Sequence, residues 1–298
     1  MSYAAVTRGA AQRRYWAFYE AIKINGEDMT TEGIRLEKRG SIALVLLDRP
    51  SRRNAFNTMM FDALKRVTAE LEQALPRAVI VTGTGEKAFC AGFDVNPDNP
   101  LVVELYEAME KQDRQGMMDG MKVVREAVDA FVSLPVPIIA AINGLAYGGG
   151  AELASRCDMR VMDKNAVICL SEVRLGLMPD WGGGAALAHL LGPAKAADLI
   201  LSARKVGADE ALQLGLANRV SAPGRCLDEA LVLAGAICEN GPQAVRHALA
   251  VIRGSRNMTL DQSLDMEMEK AVDLVASGEC VHGITAFLEK RKAEFPDI

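Results

Sequence analysis

Apolar positions along the chain fall into short runs that alternate with amphipathic stretches. Residues 34–38 and 41–47 read as two strands joined at Arg39-Gly40, and Asp48-Arg49-Pro50 ends the second. Met60, Leu64, Val67, Leu71 and Leu75 then recur at helical spacing, predicting an amphipathic helix with its stripe in the core and Thr58 as its cap. Residues 78–82 form a short buried strand. Residues 95–115, rich in charge and holding two prolines, predict an irregular loop. A helix is expected from about Met117 to Val132, stopped by Pro135 and Pro137. The β-branched run Ile138–Ile142 reads as a buried strand, and 159–162 and 166–170 as two more. From Ala185 the pattern is helical, broken at Gly192-Pro193, Gly207 and Gly215, with a last strand at 218–221.

Beyond Ala222-Pro223-Gly224 only helical pattern remains, near 225–239, 243–254, 259–276 and 281–293. Alternating strands and helices predict an α/β core, and the helical end a docking appendage. The expected division is an N-terminal arm at 1–33, a core at 34–224 and a C-terminal helical subdomain at 225–298, serving oligomerisation and completion of the site. Residues 1–19 carry Arg8, Arg13 and Arg14 and no acid. They read as a disordered or docking arm, with a faint likeness to an organellar presequence.

Composition narrows the chemistry. A formal charge of −5 over 298 residues gives nucleic acid and anionic membranes no bulk attraction. No apolar run approaches the roughly 18 residues that a membrane-spanning helix needs. The 6 cysteines are scattered without a CxxC pair, as expected of reduced thiols in the cytoplasm. The 3 histidines (189, 247 and 282) sit in no motif, which leaves a histidine-based nucleophilic triad poorly supported.

Chemistry concentrates in three loops that follow strands and place an acid beside glycine. These are Cys90-Ala91-Gly92-Phe93-Asp94, Gly148-Gly149-Gly150-Ala151-Glu152, and the stretch from Ser171-Glu172 to Gly184. The second leads into a helix start, where unpaired N–H groups can face a ligand oxygen. Taken alone it reads rather as a packing turn followed by a solvated Glu. Two N–H groups from two such loops make an oxyanion hole, and two carboxylates across one site can divide acid and base roles. Spacing alone does not show that Glu152 and Glu172 meet.

These segments resemble the enoyl-CoA hydratase/isomerase, or crotonase, superfamily. The resemblance rests on residues 88–94, on 142–154 with Cys157-Asp158 after it, on 172–179, and on the ending at 283–296. It spans the chain from about Ile34 onward, and is nearest to the two-glutamate enoyl-CoA hydratases. It implies a superhelix of ββα units with an all-helical C-terminal region, assembled as a homotrimer or dimer of trimers. It implies an acyl-CoA thioester substrate, with coenzyme A entering as part of that substrate and no separate cofactor or metal. By the same resemblance, the N–H groups of Phe93 and Gly149 form the oxyanion hole. Glu152 then holds water, and Glu172 donates a proton to the α-carbon. Lys87, Ala91, Asp94, Gly148, Trp181 and Lys290 are the expected substrate and CoA contacts. For Lys87 and Lys290 an ordinary solvated role reads equally well.

The third loop departs from the plain hydratase pattern at Pro179-Asp180-Trp181-Gly182-Gly183-Gly184. Asp180 resembles the extra acid of family members that move double bonds, and also reads as a cap for the next helix. Trp181 is expected along the acyl pocket, against a neighbouring subunit, or in the core. Phe93 replaces a small residue common in hydratases; its ring would narrow the entrance while its N–H is unaffected. The leading expectation is therefore reversible hydration of a 2-enoyl-CoA. The alternatives are enoyl- or dienoyl-CoA isomerisation through Asp180, or a catalytically silent scaffold or RNA-binding member.

Overall fold

The computed structural model describes residues 33–296. The expectation for the N-terminal arm therefore lies almost wholly outside the described residues. Among the described residues ten strands form two sheets. The first sheet is ordered β1-β2-β3-β5-β7-β10, from strands Ile34–Arg39, Ile42–Leu47, Ala78–Gly83, Ile138–Ile142, Met159–Asp163 and Arg219–Ser221. The second is ordered β4-β6-β8-β9, from Ala88–Cys90, Leu145–Tyr147, Val167–Cys169 and Val206–Gly207. The outer pairs β1–β2 and β8–β9 are antiparallel and all other pairs parallel.

Successive strands thus fall in alternate sheets: β3 then β4, β5 then β6, β7 then β8. Each pair is followed by helix, so the chain winds as a superhelix of ββα units. At one turn of this spiral Asn143 donates from its side chain to the carbonyls of Gly83 and Gly85, both at 2.9 Å, tying one unit to the next.

The helices are α1 (Thr58–Gln73), α2 (Pro100–Glu110), α3 (Arg114–Val132), α4 (Gly149–Arg156), α5 (Gly183–Leu191), α6 (Pro193–Ser202) and α7 (Ala208–Leu214). The tail adds α8 (Cys226–Cys238), α9 (Pro242–Gly254), α10 (Leu260–Ser277) and α11 (Glu279–Leu288). The near-continuous apolar runs of β2, β3 and β5 follow from a sheet covered on both faces. Val45, Leu47, Val79, Val81, Ile138 and Ala140 pack with Phe61, Leu64 and Phe131 of α1 and α3. Their neighbours Leu44, Ile80, Ile139 and Ala141 point the other way, onto Cys226, Ala230 and Ala234 of α8. The tail's first helix is therefore the cover of the sheet's second face. Arg253 of α9 secures the rest, donating to Asp158 at 2.8 and 2.6 Å and to the Leu134 carbonyl at 2.7 Å.

Three local expectations change, and β4 and β6 are added to the expected strands. Residues 95–115 hold a helix, α2, because Pro100 at its start presets the backbone and Leu101 and Ala108 have a core to enter. The cap of α1 is Asn57, which accepts the Met60 N–H at 3.1 Å, and Thr58 instead donates to Asn99 at 3.0 Å. The three-residue strands β4 and β6 are too short to show a period. The last helix ends at Leu288, so Lys290 lies beyond it with a left-handed φ of 54°. No single described helix is long and apolar enough to cross a membrane.

Candidate active site

The first loop is built to leave one N–H unspent. Phe56 and Phe93 form a parallel bridge in which Phe56 N–H donates to the Gly92 carbonyl and Asp94 N–H to the Phe56 carbonyl, each at 2.8 Å. Groups alternate along an extended strand, so the N–H of Phe93 points away from Phe56, and it donates to no acceptor among the described residues. Two clamps hold this geometry. The Gly92 N–H donates to Cys90 Sγ at 3.3 Å. The buried Asp94 carboxylate pairs with Arg49 at 2.5 Å and accepts the Asn96 N–H at 3.1 Å. These partners hold the Asp94 carboxyl below the usual carboxylate range against the opposing effect of its burial. Asp94, expected as a substrate contact, has its carboxylate committed to Arg49 and Asn96. The Ala91 N–H is likewise committed, to the Arg53 carbonyl at 3.0 Å.

The second loop brings the start of α4 against the first. Gly148 has a φ of 52°, and α4 begins at Gly149. A Cβ added to Gly92 would stand 2.9 Å from the Gly149 nitrogen, so the two backbones touch. The Gly149 N–H, in the first turn of α4, has no acceptor among the described residues. Phe93 and Gly149 thus offer two adjacent free donors, the second at a helix N-terminus that favours negative charge.

Glu152, one turn into α4, is fully buried. Its Oε2 accepts the N–H groups of Trp181 and Gly183, both at 2.9 Å, and its Oε1 that of Asp180 at 3.2 Å. Since Gly183 is the first residue of α5, Glu152 closes the open N-terminus of that helix from outside. Glu172 begins the 3-10 turn Glu172–Leu175, with Oε1 3.7 Å from where a Gly148 Cβ would stand. Both Glu172 oxygens are buried and have no hydrogen-bond partner among the described residues.

Burial raises the carboxyl pKa of both Glu152 and Glu172, and the two groups are close enough to couple. For Glu152 the Gly183 N–H opposes the rise, while the charges of Glu172 and Asp180 add to it. Two carboxyls so placed titrate as one unit. Three N–H groups face the Glu152 carboxyl, yet burial and the neighbouring acids still push it up to about 8, so the pair retains a proton near neutral pH.

Asp180 does not cap α5: the residue before that helix is Gly182, and no side chain bonds its N-terminus from there. The Asp180 carboxylate makes no ion pair among the described residues, and partial burial raises its pKa against the opposing effect of its own backbone N–H. Trp181 is buried, its indole against Gly149. The sequence-predicted residues Phe93, Gly148, Gly149, Glu152, Glu172, Asp180 and Trp181 therefore share one site. Lys87 is exposed on the rim of a different cavity of about 700 Å³, lined by Arg35, Leu44, Asn143 and Leu227 and by neither Glu152 nor Glu172. Lys290 is exposed past the end of α11.

Three supporting residues were not among those the sequence singled out. Arg49 holds Asp94. Asn54, in left-handed conformation at φ 57°, donates to the carbonyls of Thr84 and Ala88 at 3.0 and 2.9 Å. Arg156 donates to the Trp181 carbonyl at 2.8 Å and pairs with Asp129 at 2.5 Å, fixing the third loop. Only Asn54 offered a hint, as a residue type that tolerates positive φ.

With this geometry in place, comparison with known proteins is informative. Residues 37–297 match the family model described as enoyl-CoA hydratase/isomerase. A short-chain-enoyl-CoA hydratase of Clostridium acetobutylicum is 36% identical over 267 residues, covering 89% of this chain and 98% of that protein. A crotonyl-CoA hydratase of Syntrophomonas wolfei is 36% identical over 268 residues, covering 90% and 99%. The crystal structure of an enoyl-CoA hydratase from Bacillus anthracis superposes with a TM-score of 0.80 at 30% identity, covering 89% of this chain and 100% of that one.

Proposed function

The chain belongs to the enoyl-CoA hydratase/isomerase family, and from that premise we propose that it adds water reversibly across the 2,3 double bond of an enoyl-CoA thioester. The observation that carries this reading is the asymmetry of the two buried acids. Glu152 is solvated by three N–H groups, and Glu172 faces it with none. One is suited to be the base and the other the acid.

The thioester oxygen sits between the N–H groups of Phe93 and Gly149, which drain electron density and leave C3 electrophilic. Water is held by Glu152, whose Oε1 accepts one hydrogen bond and keeps room for another. The water oxygen bonds to C3 as its proton passes to Glu152, and the double-bond electrons move onto the thioester oxygen as an enolate. Glu172 then delivers its proton to C2. The proton gained by Glu152 then returns to Glu172 by way of water in the site, restoring the starting state. Losing one oxyanion donor costs about 2.7–4 kcal/mol in well-studied enzymes, so the backbone loops matter as much as the acids.

A second reading is supported by Asp180, whose carboxylate is uncommitted beside the pair. It could carry a proton between C2 and C4 and so move a double bond. Incubating the protein with saturated, enoyl and hydroxyacyl-CoA thioesters, followed by product analysis, separates the two. A 3-hydroxyacyl product supports hydration, and a shifted double bond without added water overturns it.

The assembly proposed with this function is a homotrimer or dimer of trimers. Leu260, Leu264, Met268 and Val272 form one exposed stripe on α10, and Ile284, Phe287 and Leu288 are exposed on α11. Apolar surface so concentrated on two adjoining helices fits cover by further copies of the chain.

A further inference from the structure

Trp181 packs directly against the oxyanion donor Gly149. Its indole is only 2% exposed. A Cβ added to Gly149 would stand 2.5 Å from its Cε2 and Cζ2 atoms, so the ring lies against the Gly149 Cα. Two phenylalanines back it edge-on: Phe56 at 5.5 Å and Phe61 at 5.3 Å between ring centroids, each pair at 72°. Phe61 also stacks on Phe93 at 6.3 Å, so the ring beside the first oxyanion donor belongs to the same aromatic wall.

The backbone of Trp181 is fixed on both sides. Its N–H is held by Glu152 at 2.9 Å, and its carbonyl accepts from Arg156 at 2.8 Å. An indole pinned at its own backbone and packed against two buried rings has no free volume to swing into. A thioester whose oxygen lies between Phe93 and Gly149 has its acyl end near this ring, and Phe56 and Phe61 close the space behind the indole.

We propose that Trp181 sets the acyl-chain length, confining the enzyme to short chains of the crotonyl class. This rests on the enoyl-CoA reading above. One methylene more or less in an apolar pocket is worth about 10–200-fold in discrimination, so a wall at this position reads as a steep length cut-off.

The test measures kcat/KM for crotonyl-, hexenoyl- and octenoyl-CoA with the full-length wild type, W181A and W181L. Dissociation constants of the saturated analogues, which need no turnover, are measured beside them. W181L keeps an apolar filler in case loss of the whole indole unfolds the site. The expected result is a wild type preferring crotonyl- over octenoyl-CoA by about 100-fold or more, and variants that narrow the ratio at least about tenfold. The saturated butyryl and octanoyl analogues should follow the same order in binding. An octenoyl-to-crotonyl ratio that is unchanged in both variants, or near unity in the wild type, overturns the proposal. If the wild type hydrates none of the thioesters the hydratase reading falls. The binding ratios then still decide whether Trp181 is the wall.

Discussion

Glu152 accepts the N–H of Gly183 at 2.9 Å, and the two residues are pressed so close that a Cβ on Gly183 would stand 2.3 Å from the Glu152 Cα. The N-terminus of α5 is thus seated on the acid that the first turn of α4 supplies. One contact ties the second loop to the third, and it makes the position of the carboxylate depend on a residue with no side chain.

Gly183→Ala should therefore damage activity more than stability. Overpacking of this kind costs about 1–3 kcal/mol. Displacing a reacting group by about 1 Å can cost on the order of 100-fold in rate. Thermal melting alongside kcat for crotonyl-CoA hydration checks it, and a variant with wild-type kcat counts against this placement of Glu152.

The buried Glu172 should make stability fall as pH rises. Its folded pKa lies above that of the unfolded chain, so the native state retains a proton that the unfolded state releases. The stabilisation is fully present below the unfolded value of about 4.3 and is lost as pH rises through the raised folded value. Glu172→Gln cannot lose that proton, so its Tm should decline less than that of the wild type over this interval. Parallel Tm-against-pH curves would contradict the protonated assignment.

Arg49 and Asp94 form a buried pair beside the Phe93 N–H, and removing one partner should disturb the oxyanion loop. Breaking such a pair costs about 3–5 kcal/mol because the remaining charge is left buried. Arg49→Ala should lower Tm by several degrees and reduce kcat/KM. Asp94→Asn, which keeps the shape, should be milder. If Arg49→Ala retains both stability and rate, the clamp is not functional.

Charge placed on the α10 stripe should dissolve the assembly. Leu264→Glu and Met268→Glu lie on an exposed apolar face. Light scattering should show the wild type as a trimer or hexamer and the double variant as smaller species. A monomeric wild type would refute the assembly.

Much of the core was legible because its apolar runs are strong: Ile138–Ile142 is the strand that its β-branched run predicts. The strands β4 and β6 carry the site yet hold three residues each, and segments that short are defined by their partners rather than by their own pattern. Likewise, nothing in the spacing of Glu152 and Gly183 tells that they touch, since that contact depends on how α4 and α5 cross. Asp180 was legible as an acid of interest but not as a free one. Its capping role had already been taken by Glu152, which accepts the Gly183 N–H from an element 31 residues earlier.

The most direct test of the account is the kcat of Glu172→Gln for hydration of crotonyl-CoA, with substrate binding measured in the same variant. General acid catalysis is worth about 10²–10⁴-fold. The variant should lose that much in kcat while remaining folded and binding the thioester. Full turnover by Glu172→Gln would contradict the account.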